Sequence, residues 1–221
     1  MGNKELKMPL RNILLRGHYL YFGLYYLYGK VMDFRIGRVS MDKTIFNREA
    51  DAYGVQCISY PYLRAFVKQL DWSKEDVFVD IGCAWGRLLG YLEKKTAIRK
   101  LVGIELNEEA AETAKKIFKK SARVQIIAGD AVSEMPSDGT ILYMFNPFGE
   151  RTLCSVLDKI EEIYDHPVRV FYLYPTCRQV LDTRKDRWEL VKETRLKPRH
   201  LGPLLLCEYV LKKHGGASEG P

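Results

Sequence analysis

Asp80, Gly82 and Gly86 sit in VFVDIGCAWGRLL, where an apolar run ends in an acid and a glycine-bearing turn opens a segment of helical pattern. Glycine removes the side chain at such a turn, so backbone N–H groups stand open to a ligand that approaches the chain closely. The next apolar run, LVGIEL, carries Glu105 at its end, an acid able to accept hydrogen bonds from both hydroxyls of a ribose held over the first turn. VQIIAGDA follows with Gly129, Asp130 and Ala131, where a short carboxylate could receive an adenine amino group. Taken singly, the glycine turn fits any parallel α/β protein, and Glu105 or Asp130 fits a solvated loop acid. In this order and spacing they describe a nucleoside site along one edge of a sheet.

A fourth apolar run, TILYMFNP, leads into Asn146, Pro147, Phe148 and Gly149. The Asn146 amide there either presents a hydrogen-bond acceptor to a reacting amine or orders a turn that stops a strand. Phe148, Tyr143 and Tyr174 are candidate aromatic walls for a methyl-bearing cation, and core packing is the competing reading for the two tyrosines. His18, His166, His200 and His214 are scattered and read as surface residues, with no acid–base pair among them.

Positioning these residues requires strands that end together. The runs around 77–81, 101–106, 124–131 and 140–147 alternate with helical patterns GRLLGYLEKK, NEEAAETAKKIFKK (Asn107 as its cap) and ERTLCSVLDKIEEIY. VRVFYLYP is a further strand, and WELVKETRL with PLLLCEYVLKK form a terminal hairpin. Alternation followed by a hairpin predicts an α/β fold with a mostly parallel sheet and antiparallel pairing added last.

At Asp80, Gly82, Gly86, Glu105 and Asp130 the sequence resembles the class I S-adenosylmethionine (SAM)-dependent methyltransferases, over about residues 60–212. The resemblance implies a Rossmann-like, seven-stranded mostly parallel sheet with helices on both faces and an antiparallel last strand, plus an N-terminal helical extension. It implies SAM as cofactor, with Asp80, Gly82, Cys83, Ala84 and Gly86 around the methionine moiety, Glu105 on the ribose, Asp130 and Ala131 at adenine, and Asn146 and Phe148 beside the transferred methyl. The family turn is acid-x-Gly-x-Gly-x-Gly. Here Ala84 replaces the middle glycine and Trp85 follows, which is expected to crowd the closest backbone approach. MFNPFG resembles the Asn-Pro-Pro-aromatic turn of amino-methylases without its second proline, and is nearer to little-described bacterial members with an Asn-Pro-Phe turn.

Composition bounds the remaining possibilities. Of a formal net charge of +7, residues 1–48 hold +6, with nine Lys/Arg against Glu5, Asp33 and Asp42. The rest of the chain is near neutral, which argues against nucleic acid in the main cleft. Five scattered cysteines without CxxC spacing exclude a zinc motif and a disulfide framework and point to a reducing, cytoplasmic setting. No secretory signal pattern opens the sequence, and no apolar run reaches the ~20 residues of a spanning helix. Segment 10–32 is rich in Leu and Tyr, with Leu20, Leu24 and Leu27 on one helical stripe.

The sequence thus predicts a basic, Tyr-rich extension over 1–59, a methyltransferase domain over 60–213 and a disordered tail over 214–221. In segment 33–62, Asp33, Arg35, Tyr53 and Tyr60 are candidate lid residues. Residues 1–48 are expected to serve as a lid, a packing helix, or a docking element for an anionic membrane surface or a partner protein. The expected function is methyl transfer to an unidentified acceptor, an amine on a small molecule or protein. The alternatives are a catalytically weak binding module, favoured by Ala84 and Trp85, and a membrane-interface protein, favoured by segment 10–32.

Overall fold

In a computed structural model, residues 8–37, 41, 43–45, 51–199 and 201–212 are described, side chains from Gly23 onward. The expected disordered tail lies outside the described residues. The elements run α1 (Met8–Gly37), α2 (Tyr60–Val67), β1 (Val77–Ile81), α3 (Arg87–Lys95), β2 (Lys100–Glu105), α4 (Glu108–Phe118), β3 (Val124–Ala128), β4 (Ile141–Phe145), α5 (Glu150–Ile163), β5 (Arg169–Leu173), α6 (Gln179–Asp182), β6 (Trp188–Leu196) and β7 (Leu204–Leu211).

The seven strands form one sheet in the order β3-β2-β1-β4-β5-β7-β6. Neighbours from β3 to β5 pair in parallel, whereas β7 is antiparallel to both β5 and β6. β1 is VFVDI, buried at every position, as a central strand covered on both faces must be. Val77, Val79 and Ile81 face one core with Leu153, Val156, Leu157 and Ile160 of α5. Phe78 faces the other with Leu63 and Phe66 of α2, Leu88, Leu89 and Leu92 of α3, and Phe118 of α4. The edge strand β6 is mostly exposed and studded with charge, which discourages further pairing. Asn107 caps α4 as its sequence predicts, its Oδ1 accepting from the Ala110 N–H at 3.0 Å. Glu108 and Glu109 begin that helix and Lys115 and Lys116 end it, in line with its dipole.

The boundary drawn at residue 59 does not divide the packing. Asp33, near the end of α1, is completely buried and held by Arg87, the first residue of α3. Arg87 Nε donates to Asp33 Oδ1 at 2.9 Å and its Nη2 to Oδ2 at 2.7 Å, while Nη1 donates to the Ile58 carbonyl at 3.2 Å. The Tyr60 hydroxyl and the Met41 N–H each donate to the same carboxylate at 2.8 Å. Four donated bonds satisfy Asp33, and the Arg87 guanidinium also stacks over the Tyr60 ring. This network ties α1, the segment at Met41 and α2 to the helix that follows the glycine turn.

Candidate cofactor and acceptor site

The carboxyl ends of β1 to β4 open into a cavity of about 500 Å³, lined among others by Gly82, Glu105, Asp130, Asn146 and Phe148 and roofed by residues 51–56. It lies between β1 and β4, where the chain stops adding strands on one side (β2, β3) and starts on the other (β5), the switch point at which α/β sheets hold ligands.

Gly82 adopts φ +80°, and a Cβ there would come within 2.9 Å of Pro147 Cβ, so the position needs glycine for both conformation and space. The Gly82 and Cys83 N–H groups both donate to the Ile104 carbonyl, at 2.9 and 3.0 Å, which pins the turn to β2. Glu105 braces the same turn. Its Oε2 accepts from the Ala84 N–H and its Oε1 from the Asn107 N–H, each at 2.8 Å. Burial raises the Glu105 carboxyl, and these bonds pull against that rise. Each oxygen keeps a lone pair, so two ribose hydroxyls can still be received at the cavity wall. Asp130 Oδ1 accepts from the Val132 N–H at 2.6 Å, and its other oxygen takes no hydrogen bond among the described residues. Gly129 and Ala131 line the cavity beside it.

Asp80 stands just behind this wall, only 4 % exposed and with no hydrogen bond among the described residues. Burial pushes its carboxyl up to about 8, and the Glu105 carboxylate adds to the rise. Its register partner on β4 is Tyr143, whose buried hydroxyl has no partner. Tyr143 belongs to the core among Phe66 and Phe78, so it is not a wall of the cavity. Phe145, Phe148 and Tyr174 do line it, together with Tyr53. Asp33 and Tyr60, candidate lid residues in the sequence, belong instead to the buried network described above, and Arg35 is exposed.

The rest of the turn faces away. Cys83 packs in the α3-side core, and Gly86 takes φ +79° at the start of α3, where a Cβ would meet Phe118. Ala84 adopts φ +50°, and its methyl packs with Trp85 against Met41, Val55 and Ala110. The expected crowding at Ala84 and Trp85 is therefore not found. The left-handed backbone sends the methyl into a hydrophobic cluster that anchors the N-terminal segment, and leaves the N–H on Glu105. Among the described residues, three that are not glycine have left-handed φ, Ala84, Asn146 and Tyr174, and all three lie at the carboxyl edge of the sheet. Such strain costs about 1 kcal/mol or more at each and concentrates where function holds it in place.

Asn146 has φ +43° and reaches the cavity, but its carbonyl oxygen is engaged. Oδ1 accepts from the Tyr172 hydroxyl at 3.0 Å and from Thr176 Oγ1 at 2.6 Å. The Pro147 carbonyl accepts from the Tyr53 N–H at 2.9 Å. Asn146 Oδ1, one of the two oxygens with which an amino-methylase turn would hold a planar NH2, is thus filled from within the protein, and the Pro147 carbonyl is half engaged. The Asn146 NH2 keeps no partner among the described residues, so the side chain faces the cavity as a donor.

Sequence reading missed Asp51. The helix α5 begins after Gly149 with no side-chain cap of its own. Asp51 supplies one from the roof, its Oδ2 accepting from the Thr152 N–H at 2.6 Å and its carbonyl accepting from the Gly149 N–H at 2.9 Å. The only sequence signal was the lack of a local cap before α5. An Ala52–Phe148 bridge continues the contact, so the roof is fastened to the Asn-Pro-Phe turn itself.

Residues 78–163 match a family model described as a methyltransferase domain. A curated protein-lysine N-methyltransferase of Saccharolobus islandicus (strain REY15A) is 30 % identical over 76 residues, 33 % of this chain and 47 % of that protein, so the match spans about half the length of the relative. An RNA methyltransferase from Salinibacter ruber, solved in complex with S-adenosyl-L-homocysteine, superposes with a TM-score of 0.58 at 15 % identity, covering 75 % of this chain and 99 % of that one. A TehB-like SAM-dependent methyltransferase from Corynebacterium glutamicum ATCC 13032 Kitasato gives 0.51 at 20 % identity, covering 70 % and 88 %. At these identities the solved structures speak for the fold. Residues 78–163 thus match a methyltransferase domain, and they lie on a sheet with the fold of the class I SAM-dependent methyltransferases.

Proposed function

We propose that this protein transfers a methyl group from SAM to an amine on a protein or a small molecule. The observation that carries the cofactor half is the row of Gly82, Glu105 and Asp130 along one wall of a single cavity. Bound there, SAM would supply a methyl group on a sulfonium, open to in-line displacement by a nucleophile. Glu105 then holds the ribose, Asp130 with Ala131 the adenine, and the unpartnered Asp80 the methionine ammonium. Phe145, Phe148 and Tyr174 exclude water from the side where the acceptor enters. Positioning supplies most of the acceleration in such a step, and the strapped roof and the braced turn are positioning devices.

The amine is supported by the likeness to a protein-lysine N-methyltransferase. The filled Asn146 Oδ1 favours an aliphatic amine over a planar amino group, because the planar group loses one of the two acceptors that would hold it. With its carbonyl fixed by Tyr172 and Thr176, Asn146 offers its NH2 to an oxygen of the acceptor molecule, leaving the lone pair of the amine nitrogen free to attack the methyl carbon as the C–S bond breaks. The packing of the Ala84 methyl against Met41, Val55 and Ala110 favours activity over a binding module.

Titration calorimetry tests the cofactor half. SAM and its demethylated product should both bind, and Glu105→Ala should weaken each by ~1–3 kcal/mol through loss of charge-assisted bonds. No binding of either at millimolar concentration would sink the reading. For the acceptor half, labelled SAM should reveal a substrate among amines and lysine-bearing peptides. On that substrate, Asn146→Ala should lower turnover roughly ten- to hundredfold with SAM affinity nearly unchanged. Equal turnover by both proteins would remove Asn146 from the mechanism.

A further inference from the structure

Along α1, Leu24, Leu27, Val31 and Phe34 recur at three- and four-residue spacing and stand open to solvent, at 59, 58, 48 and 64 % exposure, with Tyr26 at 58 % beside them. The other side of this helix is the one that packs. Tyr28, Met32 and Ile36 join the α3-side core, and Asp33 is buried against Arg87. In the sequence the stripe's spacing continues upstream through Leu20, Ile13 and Leu10. A long apolar stripe left open on a folded domain marks a place of docking.

Charge selects the partner. No acidic residue occurs between Glu5 and Asp33, and the Asp33 carboxylate is consumed by Arg87. Arg16, Lys30 and Arg35 fall, by their sequence positions, directly beside the stripe. In a pair of such helices they would occupy the flanking sites that decide pairing, so a second copy would set cation against cation. An anionic bilayer supplies the missing negative charge. Exposed Tyr26 adds the ring-plus-hydroxyl chemistry suited to the boundary between headgroups and acyl chains. No helix among the described residues is long and apolar enough to cross a membrane, so the geometry is that of lying on a surface.

We propose that α1 docks this protein on an anionic membrane surface, with Leu24, Leu27, Val31 and Phe34 in the acyl boundary and the flanking Lys and Arg on the headgroups. Seven residues beyond the end of α1, Thr44 lines the cavity, so the docking helix and the site are joined by a short stretch of chain. The proposal stands whichever acceptor is methylated.

Flotation of the full chain with vesicles tests it. The protein should rise with phosphatidylcholine vesicles containing about 30 % phosphatidylglycerol at least tenfold more than with phosphatidylcholine alone. The bound fraction should fall when salt is raised to ~0.5 M. The double substitution Leu27→Glu/Phe34→Glu should cut flotation about tenfold or more without lowering the melting temperature, because both side chains are exposed. Failure of the wild type to float, equal flotation on neutral vesicles, or equal flotation of the double variant would each overturn the proposal. So would a concentration-dependent dimer that the double variant abolishes, since it would give the stripe to a second copy.

Discussion

Arg87→Ala should destabilise the protein by ~3–5 kcal/mol, because it strands the fully buried Asp33 carboxylate without its counter-ion. Three donated bonds disappear at once, two to Asp33 and one to the Ile58 carbonyl, and the stack on Tyr60 goes with them. For a chain of this size the loss corresponds to a fall in melting temperature of roughly 10 °C or more. The double variant Asp33→Leu/Arg87→Met should recover part of that loss, since no charge is then left buried. The recovery should be incomplete, because the Met41 N–H and Tyr60 hydroxyl still lack their acceptor. Melts of Arg87→Ala check the first statement, and melts of the wild type, Asp33→Leu, Arg87→Met and the double variant check the second through their coupling energy. A single-variant loss below ~1 kcal/mol would mean that α1 is only loosely attached. The consequence extends to the site, because Arg87 is the first residue after the glycine turn, and the Met41 and Val55 cluster rests on Ala84 and Trp85 of that turn.

Much of this architecture was legible because the responsible signals are local. ILYMF is apolar without interruption and VFVDI is broken only by Asp80, and both lie in the middle of the sheet, nearly wholly buried. The acids at the strand ends could be placed from order alone, and Glu105 and Asp130 do line one cavity. What escaped the sequence depends on partners far away along the chain. Asp33 and Arg87 are 54 residues apart, and Asp51 caps a helix 101 residues downstream. Asn146 reads as a free amide, yet its oxygen is claimed by Tyr172 and Thr176, 26 and 30 residues later. Ala84 misled for a different reason. A methyl group in place of glycine suggests crowding, but at φ +50° that methyl points into a cluster built by the N-terminal segment. Residue type announced a conflict, and a single backbone angle removed it.

Asp80 should make SAM binding depend on pH. Its carboxyl is buried, faces Glu105, Tyr143 and Cys83, and has no hydrogen bond among the described residues, so in the ligand-free protein it stays protonated up to about 8. Under the proposed function a methionine ammonium arrives beside it and favours the charged form, so binding expels a proton whenever the pH is below 8. The affinity of the wild type, divided by that of Asp80→Asn, should therefore rise between pH 6 and pH 8 by up to about tenfold per unit and level off above. Taking the ratio removes the titration of the ligand's own amino group. Stability follows the same carboxyl with the opposite trend. A folded value raised above the unfolded 3.8 contributes stability that is complete below that pH and lost as pH rises through about 8. Without ligand, the melting temperature of the wild type should fall relative to Asp80→Asn from pH 5 to pH 8, and added SAM should offset most of that fall at the alkaline end. Parallel melting profiles of the two proteins, with an affinity ratio flat in pH, would show that Asp80 is ionised throughout and that its burial has another purpose.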